Sequence, residues 1–172
     1  NVPIWLLGSS LFSAQLAAER GLPYAFASHF APRLLLQAID LYRRLFKPSA
    51  TLAKPYVVIG VPVIAAPTDD EAQFLASSTY QRVLGILTGD RRLLLPPVEN
   101  FAAQLNPAEA EAINDFLAAA VIGGPETVQA GLARLAQATR ADEFMLVSDV
   151  FEPALRLRSL EITAAARDAL SK

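Results

Sequence analysis

Six residues carry the polar groups best placed for chemistry in this chain: Gly8, Ser9, Ser10 and Ser13, then Ser28 and His29. Each set follows a short apolar run, Ile4-Trp5-Leu6-Leu7 before the first and Leu22 to Ala27 before the second. A strand that stops at Gly-Ser-Ser and turns directly into an alanine-rich helix presents free backbone N–H groups and a positive dipole end, which favour an anion such as a phosphate. Gly8 permits close backbone approach, and Ser10 and Ser13, three apart on the first helical turn, can aim both hydroxyls at one anion. Serine is also a preferred helix N-cap, and the motif by itself favours that structural role. His29 can serve as a proton donor or an anion partner, or it can be a polar strand-end residue with no chemical duty. Phe26 and Phe30 beside it can pack on a cofactor or on the core, and core is the favoured reading.

Other polar clusters carry less. Ser148-Asp149 ends a later strand, where Asp149 can bond a ligand or start the turn into the helix at Pro153; the turn is the favoured reading. Asp69, Asp70 and Glu71 follow Thr68 as a capping box and dipole-facing acids, not as a metal site. Arg156 and Arg158 read as solvated or paired with nearby acids. Ser10, His29 and Asp149 can be assembled on paper into a hydrolase triad, but no G-x-S-x-G elbow is present.

The elements that must position these residues alternate. A strand over 4–7 is expected to be fully buried, followed by a helix over 11–20 that ends at Gly21, a second strand over 22–27, and a helix from Pro32 to Pro48 with Leu35, Ile39 and Tyr42 on one stripe. Tyr56 to Ala66 is a third strand region, and Pro62 within it predicts a bulge or an early end. A helix runs from Thr68 to about Thr88, residues 89–105 form a loop, and further helices follow Asn106, to about Ala120, and Pro125, the latter with Val128, Leu132 and Leu135 on one face. Glu143 to Ser148 is the fourth strand, and a last helix starts at Pro153 with Leu157, Leu160 and Ile162. Strands alternating with helices predict parallel βαβ units covered on both faces.

The chain has 172 residues, 53% apolar and 19% charged, with a formal net charge of -2. That suits a globular domain with a sizeable core and no nucleic-acid partner. No apolar run approaches the length of a membrane span, about 18 residues. Cysteine is absent and His29 is the single histidine, so a disulfide frame, a cysteine nucleophile and a protein-made zinc site are not expected. No signal-peptide pattern precedes Val2, which fits a cytoplasmic protein. The chain opens at Asn1, almost inside a strand, which reads as a start partway through a longer protein.

"PIWLLGSSLFSAQLAAERGLPYAFASHFAP", "PYVVIGVPVIAAPTDDEA", "GGPETVQAGLARL" and "ADEFMLVSDVFEPALRLRSLE" occur in this order. Together they resemble the fifth to eighth βα units of the bacterial luciferase-like, flavin-dependent monooxygenases. The resemblance implies an α/β fold, the C-terminal half (strands 5–8) of a (β/α)8 barrel, with 1–172 as a single unit and an insertion loop around 89–105. It implies that Gly8, Ser9, Ser10 and Ser13 bind the flavin phosphate of FMN, with Ser28 and His29 close to phosphate or ring, and it reverses the preference for a bare cap. It implies a full-length monooxygenase that uses reduced FMN and oxygen on a small organic substrate. The catalytic residues are unknown and fall in the absent N-terminal half, and the 172-residue chain alone is expected to be inactive and to self-associate or pair with that half. The alternatives are half of a deazaflavin (F420)-dependent oxidoreductase and a non-catalytic half-barrel that binds flavin or a partner.

Overall fold

Small-residue turns, prolines and caps set where each element starts and stops. The computed structural model describes residues 2–90 and 92–170, so Arg91, inside the 89–105 segment, lies outside the described residues. Five strands and six helices are present among them: β1 (Leu6–Gly8), α1 (Leu11–Arg20), β2 (Tyr24–Phe26), α2 (Leu35–Leu45), β3 (Val57–Ala65), α3 (Asp69–Thr88), α4 (Pro107–Phe116), β4 (Val121–Gly123), α5 (Pro125–Thr139), β5 (Glu143–Val147) and α6 (Pro153–Leu170). All registered strand pairs are parallel, the arrangement that βα alternation requires.

The chain groups into two compact units, Asn1–Val61 with Leu135–Leu146, and Pro62–Arg134 with Val147–Lys172. In the first, β1 pairs with β2 (Leu6 with Tyr24, Gly8 with Phe26) and β2 with β3 (Tyr24 with Val57, Phe26 with Ile59). β5 also pairs with β3, and at this end the Asp142 carboxylate accepts from Val57 N at 2.7 Å while Asp142 N donates to Val57 O at 2.9 Å. α1 packs on α2: Ala14, Ala17 and Ala18 are fully buried, against a stripe that includes Ala38, Ile39 and Tyr42. Alanines at that spacing let the two helix backbones approach closely. Arg43 on α2 donates from its two terminal nitrogens to the carbonyls of Thr139 and Arg140. A cation is favoured there, because these are among the last carbonyls at the C-terminal end of α5.

In the second unit, β3 pairs with β4 (Val63 with Val121, Ala65 with Gly123). Its core gathers Ile64, Ala66, Ala72, Leu75, Ala76 and Val150, with a second cluster of Val83, Ile113 and Leu117. Fully burying an aliphatic side chain of this size is worth roughly 1.5–3 kcal/mol.

Several sequence expectations change. β1 starts at Leu6, not Ile4, and it is not buried on both faces: Leu7 is 70% exposed and Ile4 69%. Met145 on β5 is likewise 62% exposed. Among the described residues nothing covers those side chains. Pro62 neither ends nor interrupts β3, which runs nine residues through it. It falls after the residues that pair with β2 and before those that pair with β4, so its missing N–H withdraws no registered ladder bond. A fifth strand, β4, forms between two expected helices, where the sequence reading placed no element, and α4 ends earlier than expected, at Phe116. The helix expected from Pro32 begins as a single 3₁₀ turn, Pro32–Leu34, and the 89–105 segment carries another, Phe101–Gln104. On α6 the buried face is Ser159, Thr163 and Ala166, while Leu157 and Leu160 are exposed. Small side chains win that face because β3 ends against it: the Ser159 hydroxyl accepts from Ala65 N at 2.8 Å. No helix among the described residues is long and apolar enough to cross a membrane.

Candidate cofactor-binding site

β1 delivers Gly8 to the C-terminal end of the parallel sheet of the first unit, and α1 begins three residues later, at Leu11. Ser10 is the N-cap, extended at φ -125°, ψ 160°, and it forms a reciprocal capping box with Ser13. Ser13 N donates to Ser10 Oγ at 3.2 Å, and Ser10 N donates to Ser13 Oγ at 3.3 Å. Ser13 Oγ also donates to the Ser10 carbonyl at 2.7 Å and lies 3.1 Å from the Tyr24 hydroxyl. The Tyr24 hydroxyl is itself 3.3 Å from that same carbonyl.

The two serines therefore differ. Ser13 is buried, its hydroxyl turned inward toward Tyr24, whereas Ser10 is exposed. The capping role that the motif favoured is realised. Within it the Ser10 hydroxyl donates to Ser13 Oγ at 3.3 Å, a long bond at an exposed residue, and the Leu11 and Phe12 amides stay outside the capping network. Gly8 has no room for a side chain: a Cβ there would lie 2.4 Å from Ser13 Cβ and Oγ. The first turn of α1 contains no acidic residue, so nothing in it opposes an anion. An exposed hydroxyl, first-turn amides and the helix dipole form a donor set that fits a phosphate.

Ser28 and His29 follow β2 directly and form a second group beside the first. Ala27 N donates to Gly8 O at 2.9 Å, which ties the two strand ends together. Ser28 is buried and its hydroxyl donates to the Gly60 carbonyl on β3. The half-buried His29 ring lies over the same glycine, where a Cβ would come within 2.5 Å of its Nδ1, and packs against Phe30 at a tilt of 46° with ring centroids 4.4 Å apart. Phe26 is buried as expected, but Phe30 is 58% exposed rather than core.

Two participants went unread in the sequence. Tyr24 was hidden in an apolar run, although a buried tyrosine usually finds a partner for its hydroxyl. Burial raises its phenol pKa, and the Ser13 hydrogen bond offsets part of that. Gly60 lay in a strand-like run, where an isolated glycine signals close approach of a neighbour.

The remaining candidates are structural. In the second unit Asp149 pairs with Arg82 at 2.6 Å, and its carbonyl accepts from Thr79. Thr68 caps α3 by accepting from Glu71 N at 3.2 Å, without the reciprocal arm of the expected box. Asp69 caps α5 from outside: its carboxylate accepts from Gly124 N at 2.6 Å and from the Thr127 hydroxyl at 3.0 Å. Those two bonds, the backbone one first, hold the Asp69 carboxyl below its ordinary pKa. Because the folded value is depressed, the associated stability is present above the unfolded pKa and is lost as pH falls through the folded one. Urea midpoints of wild type and Asp69→Asn should therefore differ at neutral pH and converge below about pH 4. Parallel pH profiles would show that the carboxylate charge contributes nothing. Among the described residues, no group of three or more metal-ligating side chains is placed to hold a metal ion.

The model of the luciferase-like monooxygenase family matches residues 1–143, and the chain belongs to that family. It is 49% identical over 164 residues to the Bacillus subtilis protein YvbT, an alignment covering 95% of this chain and 49% of YvbT. It is 42% identical over 170 residues to a luciferase-like monooxygenase of Escherichia coli K12, covering 99% of this chain and 51% of that protein. The crystal structure of apo-MsnO8 superposes with a TM-score of 0.83 at 34% identity, over 96% of this chain and 51% of MsnO8. The chain thus spans about half the length of the curated relatives it matches. Two solved structures share the fold at lower identity. One is the oxygenating constituent of 3,6-diketocamphane monooxygenase in complex with FMN, at 20% and TM-score 0.59 over 93% of this chain and 46% of that one. The other is an F420-dependent secondary alcohol dehydrogenase with an F420-acetone adduct, at 13% and 0.62 over 96% and 49%.

Proposed function

We propose that this chain is the C-terminal half-barrel of a flavin-dependent monooxygenase and supplies its flavin phosphate site. The observation that carries the reading is the exposed, acid-free N-terminus of α1 at the end of β1, in a chain of the luciferase-like monooxygenase family. Ser10, the Gly8-Ser9 backbone and the first-turn amides hold the phosphate of FMN, and Ser28 and His29 stand at the neighbouring strand end. The bound flavin supplies the redox chemistry, and the protein orients it and shields it from water. A small organic molecule is the substrate. The catalytic side chains lie outside these 172 residues.

An F420-dependent oxidoreductase is the second reading, supported by the fold shared with the alcohol dehydrogenase. Titration of the full-length protein with FMN and with F420 separates the two. FMN binding together with substrate-dependent oxygen consumption supports the first reading, and F420 binding with hydride transfer overturns it. The 172-residue chain alone is expected to give no turnover above free flavin. It should also self-associate, because β1 and β5 expose Leu7 and Met145, and uncovered apolar side chains on strands seek a partner. Oxygen uptake and sedimentation of the isolated chain test both points. Turnover, or a monomer stable to dilution, would count against the half-barrel reading.

A further inference from the structure

We propose that Tyr24 is a positioning residue for the phosphate turn, acting through Ser13 to fix which way Ser10 faces. The proposal rests on the flavin-phosphate reading above and assigns the turn a support from the adjacent strand.

Tyr24 is fully buried and its ring is held from two sides. Phe26 meets it edge-on with centroids 6.2 Å apart, and Tyr42 packs against it at 5.3 Å. Tyr42 is fixed in turn, since its hydroxyl donates to Leu22 O at 2.8 Å and accepts from Tyr56 N at 3.1 Å. β2 and this aromatic set therefore fix the ring that carries the Tyr24 hydroxyl. That hydroxyl reaches across to the α1 N-terminus and meets Ser13 Oγ and Ser10 O. Ser13 Oγ, engaged by Tyr24 on its inner side, in turn accepts from the exposed Ser10 hydroxyl at 3.3 Å, so the tyrosine anchors the Ser10 rotamer through Ser13. Without the phenol hydroxyl, Ser13 Oγ keeps only its bonds to Ser10, and the Ser10 rotamer is no longer anchored from the neighbouring strand. Groups that must present donors to an anion bind best when their own rotamers are locked from behind.

The test uses the full-length protein and two ligands that differ by the phosphate, FMN and riboflavin. Tyr24→Phe keeps the ring and removes only the hydroxyl. It should narrow the FMN-over-riboflavin affinity ratio by about fivefold to tenfold, the scale of one neutral hydrogen bond, with riboflavin affinity held within about twofold. A change confined to packing would weaken both ligands alike and leave the ratio where it was. Ser13→Ala breaks the same link from its other end and serves if Tyr24→Phe fails to fold. It should narrow the ratio similarly, and where both single variants fold the double variant should narrow it no further. A wild type that prefers FMN, with a ratio reduced by Ser10→Ala but unmoved by Tyr24→Phe or Ser13→Ala, overturns the role of Tyr24 alone. A wild type with no preference for FMN overturns the phosphate reading and this proposal together.

Discussion

Ser10→Ala in the full-length protein is expected to weaken FMN binding by about tenfold to a hundredfold and to leave riboflavin binding nearly unchanged. A hydrogen bond to a charged phosphate is worth roughly 1.5–3 kcal/mol, which spans that range of affinity. The effect belongs to Ser10 rather than Ser13, because Ser10 is exposed while the Ser13 hydroxyl is buried against Ser10 O and Tyr24. Ser10 is also the N-cap that accepts from Ser13 N, and losing a cap costs about 1 kcal/mol of stability. Ser10→Asp separates the two roles. Aspartate caps a helix as well as serine does, but its charge repels a phosphate. The phosphate reading predicts that Ser10→Asp keeps the thermal stability of wild type and binds FMN more weakly than Ser10→Ala. If Ser10→Asp restores FMN affinity, Ser10 is a cap and nothing more.

Gly21→Ala should lower stability by about 2–4 kcal/mol, the sum of a left-handed backbone cost and an overpacking cost. For a chain of this size that is a fall in Tm of roughly 5–15 °C. Gly21 ends α1 at φ 59°, and its N–H closes the helix on Ala17 and Ala18 carbonyls. An added Cβ would lie 2.5 Å from the Lys47 carbonyl oxygen and 2.7 Å from Ser49 Cβ. The obstruction is backbone and cannot step aside. Lys47 N is tied to Ala18 O at 2.9 Å, and the Ser49 hydroxyl donates to Gly21 O at 2.9 Å. Gly89 ends α3 at a similar φ, 81°, and the methyl that alanine would add there meets nothing within 4 Å. Gly89→Ala should therefore cost only the conformational part, about 1–2 kcal/mol. Equal losses at the two sites, read from chemical denaturation, would remove the crowding argument.

Much of the local structure could be read from the chain. The run from Leu6 through Gly21 specified a strand, a tight turn, a serine-capped helix and a glycine stop, and each is present. The α2 stripe of Leu35, Ile39 and Tyr42 is buried as its spacing required, and Asn106 and Glu109 form the reciprocal box that opens α4. These features depend on neighbours within four residues, so sequence spacing carries them. The order of the βα units carried the family as well.

What escaped the sequence depended on partners distant along the chain. Leu157 and Leu160 have the composition of a core stripe on α6, yet Ser159 occupies the buried face because Ala65 N, 94 residues away, needs its hydroxyl. Pro62 was expected to disturb β3, and only the handover of pairing from β2 to β4 shows why it does not. Asp69 was legible as a residue of its own helix cap, but its carboxylate closes the N-terminus of α5 instead, through Gly124 and Thr127. The candidate site divides in the same way. Residue types and spacing determined a serine-capped helix N-terminus at a strand end, because capping is a local reaction of the backbone to its own unsatisfied N–H groups. The tertiary structure decided that Ser13 faces inward and Ser10 outward, because that choice is made by a tyrosine hydroxyl on the next strand, eleven residues from Ser13 along the chain.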